Sequence, residues 1–336
     1  MMSLLLMQAF FSELDEGGRG ALLEGFAALW GAEPGSATIV RASSNFLCSF
    51  ERGGRRYSLR IAPPGSRKEV TLEPQLDFLA FLEGRGIPAH RLFPSASGRR
   101  FETVATPWGP SLATAFEWIE GELSEAEEFS DSRLRAWGGA LARLHLASED
   151  YPKPDQGLDL LQCLARARDR LPPGAARERR IADALLSRLR TLPRRRGRGG
   201  NWGLIHADFE ADNLIWKGEE PWAIDFDELG PGWFAADLAF AARDLFGDRV
   251  GAFDAADPRF RLFLEGYREV RPLPEEELAL VPLFLALNHD LHRLDIAVIV
   301  AGGSPPGEAS WVANLRERLV RHLRRWDEEL AAFVGP

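Results

Sequence analysis

The chain runs to 336 residues, 45% hydrophobic and 27% charged, with a net charge of -9. That length exceeds what one small core usually serves, so two lobes are expected, and the composition is that of an ordinary globular protein. Two cysteines, Cys48 and Cys163, make neither a disulfide framework nor a zinc site, no apolar run of about 18 residues is present to span a membrane, and the acidic balance argues against a nucleic-acid partner and for a cationic one.

Residues 1–7 are apolar but lack a basic flank, and Glu13, Asp15 and Glu16 follow closely. A helix start is expected there rather than a signal peptide, with the cytoplasm as the default location. Apolar positions at helical spacing run from 20 to 31 and stop at Gly31. Short β-type runs follow at 37–42, 46–51 and 56–61, the last two joined by Arg52-Gly53-Gly54-Arg55, a hairpin turn signal. A helix is expected over 67–84, then strands at 100–106 and 111–118.

From about residue 131 helices dominate. Leu134, Trp137, Leu141 and Leu144 form one stripe that ends near His145. Further helices are expected at 158–170, 177–191, 238–246, 259–270, 275–300 and 311–333. Residues 166–198 are dense in arginine but carry no interleaved aromatics, and read as a solvated helix face and a basic loop. The segment 202–228 breaks the helical pattern with short runs rich in β formers. The sum is an α+β chain, a small antiparallel β-sheet lobe with one main helix joined to a larger, mostly helical lobe.

The chemistry concentrates in Leu204-Ile205-His206-Ala207-Asp208-Phe209-Glu210-Ala211-Asp212-Asn213, followed by Ile224-Asp225-Phe226-Asp227. A β-type run delivers a loop bearing His, Asp and Asn, and another ends on a carboxylate. Phosphoryl transfer needs such a set: an Asp to orient an acceptor hydroxyl and take its proton, and an Asn and a second Asp to face a magnesium ion.

His-x-Asp-x-x-x-x-Asn followed by Ile-Asp-Phe-Asp, with Asp237-Leu238-Ala239 downstream, resembles the aminoglycoside phosphotransferase and choline kinase-like superfamily. The resemblance implies a two-lobed protein-kinase-like fold that uses ATP and Mg2+. It implies Asp208 as catalytic base, Asn213 and Asp225 as metal ligands, His206 bracing the loop and Asp237 holding its backbone. Asp227 either touches the metal or braces Asp225. Residues 1–116 would form the nucleotide-gripping lobe, 117–121 the hinge, and 122–336 the lobe with the catalytic loop and acceptor site.

On the nucleotide side no Gly-x-Gly-x-x-Gly precedes the second strand; Ser44 and Asn45 occupy the equivalent turn and can offer backbone N–H groups. Arg60 stands where the family usually has lysine. Its helix partner is left open among Glu69, Glu73 and Gln75, with Glu73 preferred. Backbone groups at Glu117 and Ile119 would meet the adenine edge. The resemblance implies a small-molecule acceptor such as an aminoglycoside, amino alcohol, sugar or homoserine-like compound. Glu210 and Asp212, unusual fillings of the loop, favour a cationic one. His289, His292 and Arg293 share a helix face and suggest a polar stripe along the acceptor site. The alternatives are a stress-response-type Ser/Thr protein kinase of the same superfamily and a nucleotide-binding pseudokinase, the latter suggested by Arg60.

Overall fold

Two compact units emerge from the contacts of the chain. One contains Met1–Leu72, His90–Ile119 and Ile299–Leu319, the other Glu73–Ala89, Glu120–Val298 and Val320–Pro336. The computed structural model describes residues 4–65, 68–247, 249–250, 252–301 and 308–335.

The first unit is built by period-two burial. After helices α1 (Leu4–Ser12) and α2 (Ala21–Ala28) come β1 (Thr38–Ala42), β2 (Phe46–Arg52), β3 (Arg55–Ala62), β4 (Leu92–Phe93), β5 (Glu102–Thr106) and β6 (Gly109–Glu117). They form an antiparallel sheet in the order β1-β2-β3-β6-β4, with β5 also paired to β6. Phe46, Cys48 and Phe50 on β2, Tyr57, Leu59 and Ile61 on β3, and Ala113 and Ala115 on β6 all enter one core. Leu23, Phe26, Ala27 and Trp30 repeat at i, i+3, i+4 and i+7 and join the same core from α2 and the residues after it. Phe10 of α1 stacks on Phe46 at 3.6 Å between ring centroids. The two-residue β4 carries no periodic signal and was not expected.

α3 (Lys68–Gly84) leads into the second unit. There α4 (Asp131–Glu149) starts at Ser130, whose hydroxyl accepts from Arg133 N, and α5 (Leu160–Asp169) starts with a capping box between Asp159 and Gln162. α6 (Ala176–Arg190) precedes four short strands: β7 (Trp202–Ile205), β8 (Leu214–Lys217), β9 (Glu220–Ala223) and β10 (Gly230–Trp233). β8 and β9 make one hairpin, and β10 returns to pair antiparallel with β7. Gly-Pro-Gly in β10 reads as a turn, yet it forms an edge strand. There a proline's missing N–H is harmless, and a Cβ at Gly232 would lie 2.4 Å from Ile205 Cδ1.

Helices α7 (Phe234–Phe246), α8 (Pro258–Val270), α9 (Glu275–Leu278), α10 (Val281–Ala301) and α11 (Ser310–Val334) complete the chain. The single helix expected over 275–300 is two. Pro282 fits only a first turn, so α10 restarts just before it. α4 and α8 cross with their backbones nearly touching. A Cβ at Gly138 would lie 1.9 Å from Phe263 O, and one at Gly266 2.0 Å from Arg135 O. No helix among the described residues is long and apolar enough to cross a membrane.

Candidate active site

The loop leaving β7 is strained and held from behind. Ala207 (φ 62°) and Asp225 (φ 59°) are the only non-glycine residues with positive φ among the described residues. Such conformations cost about 1–3 kcal/mol each and persist only where surroundings impose them. At Ala207 the restraint is Asp237, fully buried on α7. Its Oδ2 accepts from His206 N at 2.8 Å and its Oδ1 from Ala207 N at 2.7 Å. The ring of His206 is buried, and its Nε2 donates to Ile224 O at 3.0 Å. That bond ties the loop to the strand end that carries Asp225. Burial lowers the pKa of His206 and keeps the ring neutral, despite the nearby charge of Asp237.

Asp208 and Asn213 meet directly. Asn213 Nδ2 donates to Asp208 O at 2.8 Å and to Asp208 Oδ2 at 2.9 Å. The amide nitrogen is thereby committed to Asp208, leaving the Asn213 carbonyl oxygen as the acceptor end of the side chain. Ile224 N donates to Asn213 O at 3.0 Å, a second tie between the loop and the Asp225 strand. The Asp208 carboxyl is pushed up to about 8, first by desolvation and next by the charge of Asp225, with Arg243 pulling the other way. Asp225 accepts from Asp227 N at 3.4 Å and caps the short turn of 226–228.

The donor set suits a magnesium ion. Asn213 and Asp225 offer hard oxygens, and magnesium is commonly held by one or two such side chains with phosphate and water completing the shell. Among the described residues no group of three or more His, Cys, Asp or Glu could hold a metal.

Beyond Asp208 the loop's Glu210 and Asp212 line an acidic cavity with Glu125, Glu127 and Asp244, and Arg243 is its lone basic member among the described residues. Arg243 ion-pairs with Glu210, donates to Asn288 Oδ1 at 3.2 Å and approaches His292 Nε2 at 3.4 Å. Asp244 Oδ2 accepts from Ala211 N at 2.8 Å. The helix face singled out at His289, His292 and Arg293 is only partly a polar stripe. Arg293 is fully buried between Asp290 and Asp327, and His289 Nδ1 donates to Leu285 O at 2.8 Å. Only His292 reaches Arg243.

The nucleotide-side residues fall in the first unit, apart from the helix candidates Glu73 and Gln75. Arg60 lies in the central strand β3, not on an edge. It is buried, opposite Leu47 on β2 and Thr114 on β6, on the sheet face turned away from the Phe46–Leu59 core. Ser44 and Asn45 lie in the turn from β1 to β2, where Ser43 N donates to Asn45 O at 3.0 Å. Glu117 ends β6 with its N–H donating to Arg91 O at 2.9 Å, and Ile119 is buried two residues on. On α3, Glu73 stands exposed while Gln75 is 2% exposed, and the side chain of Glu69 lies outside the described residues.

Sequence reasoning passed over His145, Arg243 and Asp244. A histidine closing the apolar stripe of α4, and an aspartate one heptad after Asp237, were the available signals.

A family model described as "Phosphotransferase enzyme family" matches residues 40–273. Amicoumacin kinase of Bacillus subtilis (strain 168) is 25% identical over 275 residues, 79% of this chain and 81% of that protein. Homoserine kinase of Caulobacter vibrioides (strain NA1000 / CB15N) is 30% identical over 253 residues, 72% and 74% of the two chains. Among solved structures, an amicoumacin kinase in complex with AMP-PNP, Ca2+ and Ami has a TM-score of 0.74 at 21% identity, covering 96% of both chains. A microcompartment-associated aminopropanol kinase has a TM-score of 0.68 at 22% identity, covering 94% and 98%.

Proposed function

The chain belongs to the phosphotransferase enzyme family, and from that premise we propose that it moves the γ-phosphate of ATP to a hydroxyl of a small, amine-bearing molecule. The observation that carries this reading is the Asp208–Asn213 pair beside Asp225, on a loop whose Glu210 and Asp212 line an acidic cavity. Asp208 is the base. A carboxyl with a pKa near 8 in the free protein takes a hydroxyl proton more readily than one near 4. Asn213 holds the Asp208 carboxylate in place and, with Asp225, presents oxygens to magnesium. When bound, magnesium supplies charge neutralisation on the phosphates. His206 and Asp237 keep the loop in its strained form, so that Asp208 need not reorganise during transfer.

Residues 1–116 are assigned to the nucleotide, with Arg60, Ser44 and Asn45 toward the phosphates and Glu117 and Ile119 toward the base. Arginine serves the phosphate role through its planar, bidentate fork. The acceptor belongs to 122–336. Glu125, Glu127, Glu210, Asp212 and Asp244 supply five carboxylates against the one guanidinium of Arg243, an environment that attracts an ammonium group and repels anions. That chemistry, and kinship with kinases of amicoumacin and homoserine, favour a small molecule over a protein acceptor.

The test is transfer from γ-labelled ATP and magnesium to a panel of amino alcohols, aminoglycosides, neutral sugars, hydroxy acids and protein. Asp208→Ala serves as the control. Label on amine-bearing alcohols that disappears in the control is expected. Label confined to anionic acceptors, or to protein, would overturn the acceptor assignment. Nucleotide binding with no transfer to anything would mark a pseudokinase.

A further inference from the structure

Behind the catalytic loop runs a line of buried polar side chains with no role yet assigned. Asp237 Oδ2, which accepts from His206 N, also meets His145 Nε2 of α4 at 3.0 Å. His145 Nδ1 lies 2.7 Å from the hydroxyl of Tyr267 on α8, and that hydroxyl accepts from Arg271 Nη1 at 3.1 Å. Arg271 Nε in turn donates to Glu149 Oε1 at 2.8 Å. The side chains of His145 and Asp237 are fully buried, as is Tyr267, and those of Arg271 and Glu149 are 2% and 4% exposed.

Proton counting orders this line. A guanidinium can only donate, so the Tyr267 oxygen accepts from Arg271. The hydroxyl has one proton left to give, and the remaining neighbour is His145 Nδ1. Nδ1 therefore carries no proton, and Nε2 carries the ring's proton and donates it to Asp237. Burial supports the neutral ring, lowering the pKa of His145 against the opposing pull of Asp237. Each bond has one sense, from Arg271 through Tyr267 and His145 to the carboxylate that restrains Ala207.

We propose that His145 is a positioning residue for phosphoryl transfer, held between the Tyr267 hydroxyl and the Asp237 carboxylate in the Nε2–H tautomer so that Asp237 is fixed with one oxygen on each amide preceding Asp208. The catalytic effect rests on the functional reading above; the tautomer and the loop restraint do not. Asp237 alone could swing about its χ angles and release either amide. With Nε2–H on Oδ2, rotation would cost a buried hydrogen bond and leave the imidazole unpaired. His145 thereby acts through Asp237 on the placement of Asp208 and touches no reacting atom.

Two measurements need no acceptor. In 15N-labelled protein the His145 ring should show a protonated Nε2 and a bare Nδ1; a protonated Nδ1 overturns the proposal. In His145→Leu, amide exchange at His206 and Ala207 should quicken by about 10-fold or more relative to amides of the β8–β9 hairpin. His145→Gln, whose amide places a donor near Nε2, should restore protection. Wild-type exchange at both amides in the folded Leu variant overturns the restraint. Should that variant not fold, Tyr267→Phe decides: it removes the donor to Nδ1 and should likewise quicken exchange at both amides, and unchanged exchange there would refute the lock.

Kinetics then read the consequence. Tyr267→Phe and His145→Leu should lower kcat by about 10- to 100-fold with both KM values unchanged, and His145→Gln should recover most of it. Equal falls in kcat and protein stability with no rescue by Gln would show a merely structural role. Absence of transfer in the wild type would overturn the functional reading while the ring and amide data still judge the lock.

Discussion

Asp208 combines demands that conflict in a folded protein. As the proposed base it would have to be poised to take a proton, and the desolvation and neighbouring Asp225 charge that raise its pKa to about 8 also make its ionised form costly to fold around. The sign follows from proton linkage. The folded state holds a proton on Asp208 up to about pH 8 that the unfolded chain gives up near 4. Stability from this group is therefore present at low pH and lost as pH rises through about 8. Each unit of the raised pKa is worth ~1.4 kcal/mol. Asp208→Asn should melt higher than the wild type in metal-free buffer, with a gap that widens from pH 5.5 to 8.5. Its kcat should fall by about 10² to 10⁴ if Asp208 is the base. Equal melting temperatures across that range would remove Asp225 and desolvation as the source of the poise. His206, Asp208, Asn213 and Asp225 could be picked out from the sequence because they crowd into twenty residues on one strand-loop-hairpin unit. His145 could not, since it acts on Asp237 from 92 positions away, and no local pattern records a contact made by folding.

At the scale of elements, α7 is the loop's clamp. Asp237 and Asp244 are seven residues apart on one helix face, and they grip the catalytic loop on either side of Asp208, at residues 206–207 and at Ala211. Asp244→Ala should raise the acceptor KM and lower kcat, about 10-fold each, and leave the KM for ATP unchanged, because Ala211 adjoins the acceptor cavity. Steady-state kinetics with the acceptor and ATP varied in turn would show this; a change in the ATP KM alone would count against it. The α4–α8 crossing is equally exacting. The carbonyl of Arg135 lies 2.0 Å from where a Gly266 Cβ would stand, and a backbone carbonyl cannot move aside as a side-chain tip can. Gly266→Ala should therefore push the helices apart, costing roughly 1–3 kcal/mol in denaturant unfolding, and stretch the bond between His145 and Tyr267 that spans them. The helices themselves were plain in the apolar stripe of α4 and the 3.6 period of α8. Their partnership was hidden, because a mid-helix glycine reads in one dimension only as a weak helix former.

Over the whole molecule, the charge is distributed more tellingly than its sum suggests. Forty-one basic residues face 50 acidic ones, and the arginine-dense stretch spends part of its charge internally. Arg168 pairs with Asp183, Arg170 with Asp295, Arg195 with Glu277, Arg196 with Asp155 and Arg198 with Asp150. Each exposed pair adds little stability, and together the five offset only part of the positive charge of that tract. Among the described residues that line the cavity, five carboxylates instead meet the one guanidinium of Arg243. An ammonium-bearing acceptor of the proposed reaction would be drawn by this negative field, which ionic strength attenuates over a Debye length of about 10 Å at 0.1 M salt. The KM for such an acceptor should rise several-fold between about 20 and 200 mM salt, while that for a neutral alcohol of similar size stays level. Varying NaCl at saturating ATP and magnesium separates the two. If the two acceptors respond alike, the cavity charge does not select the substrate, and the acidic lining would serve only to position Ala211 and Glu210 of the loop.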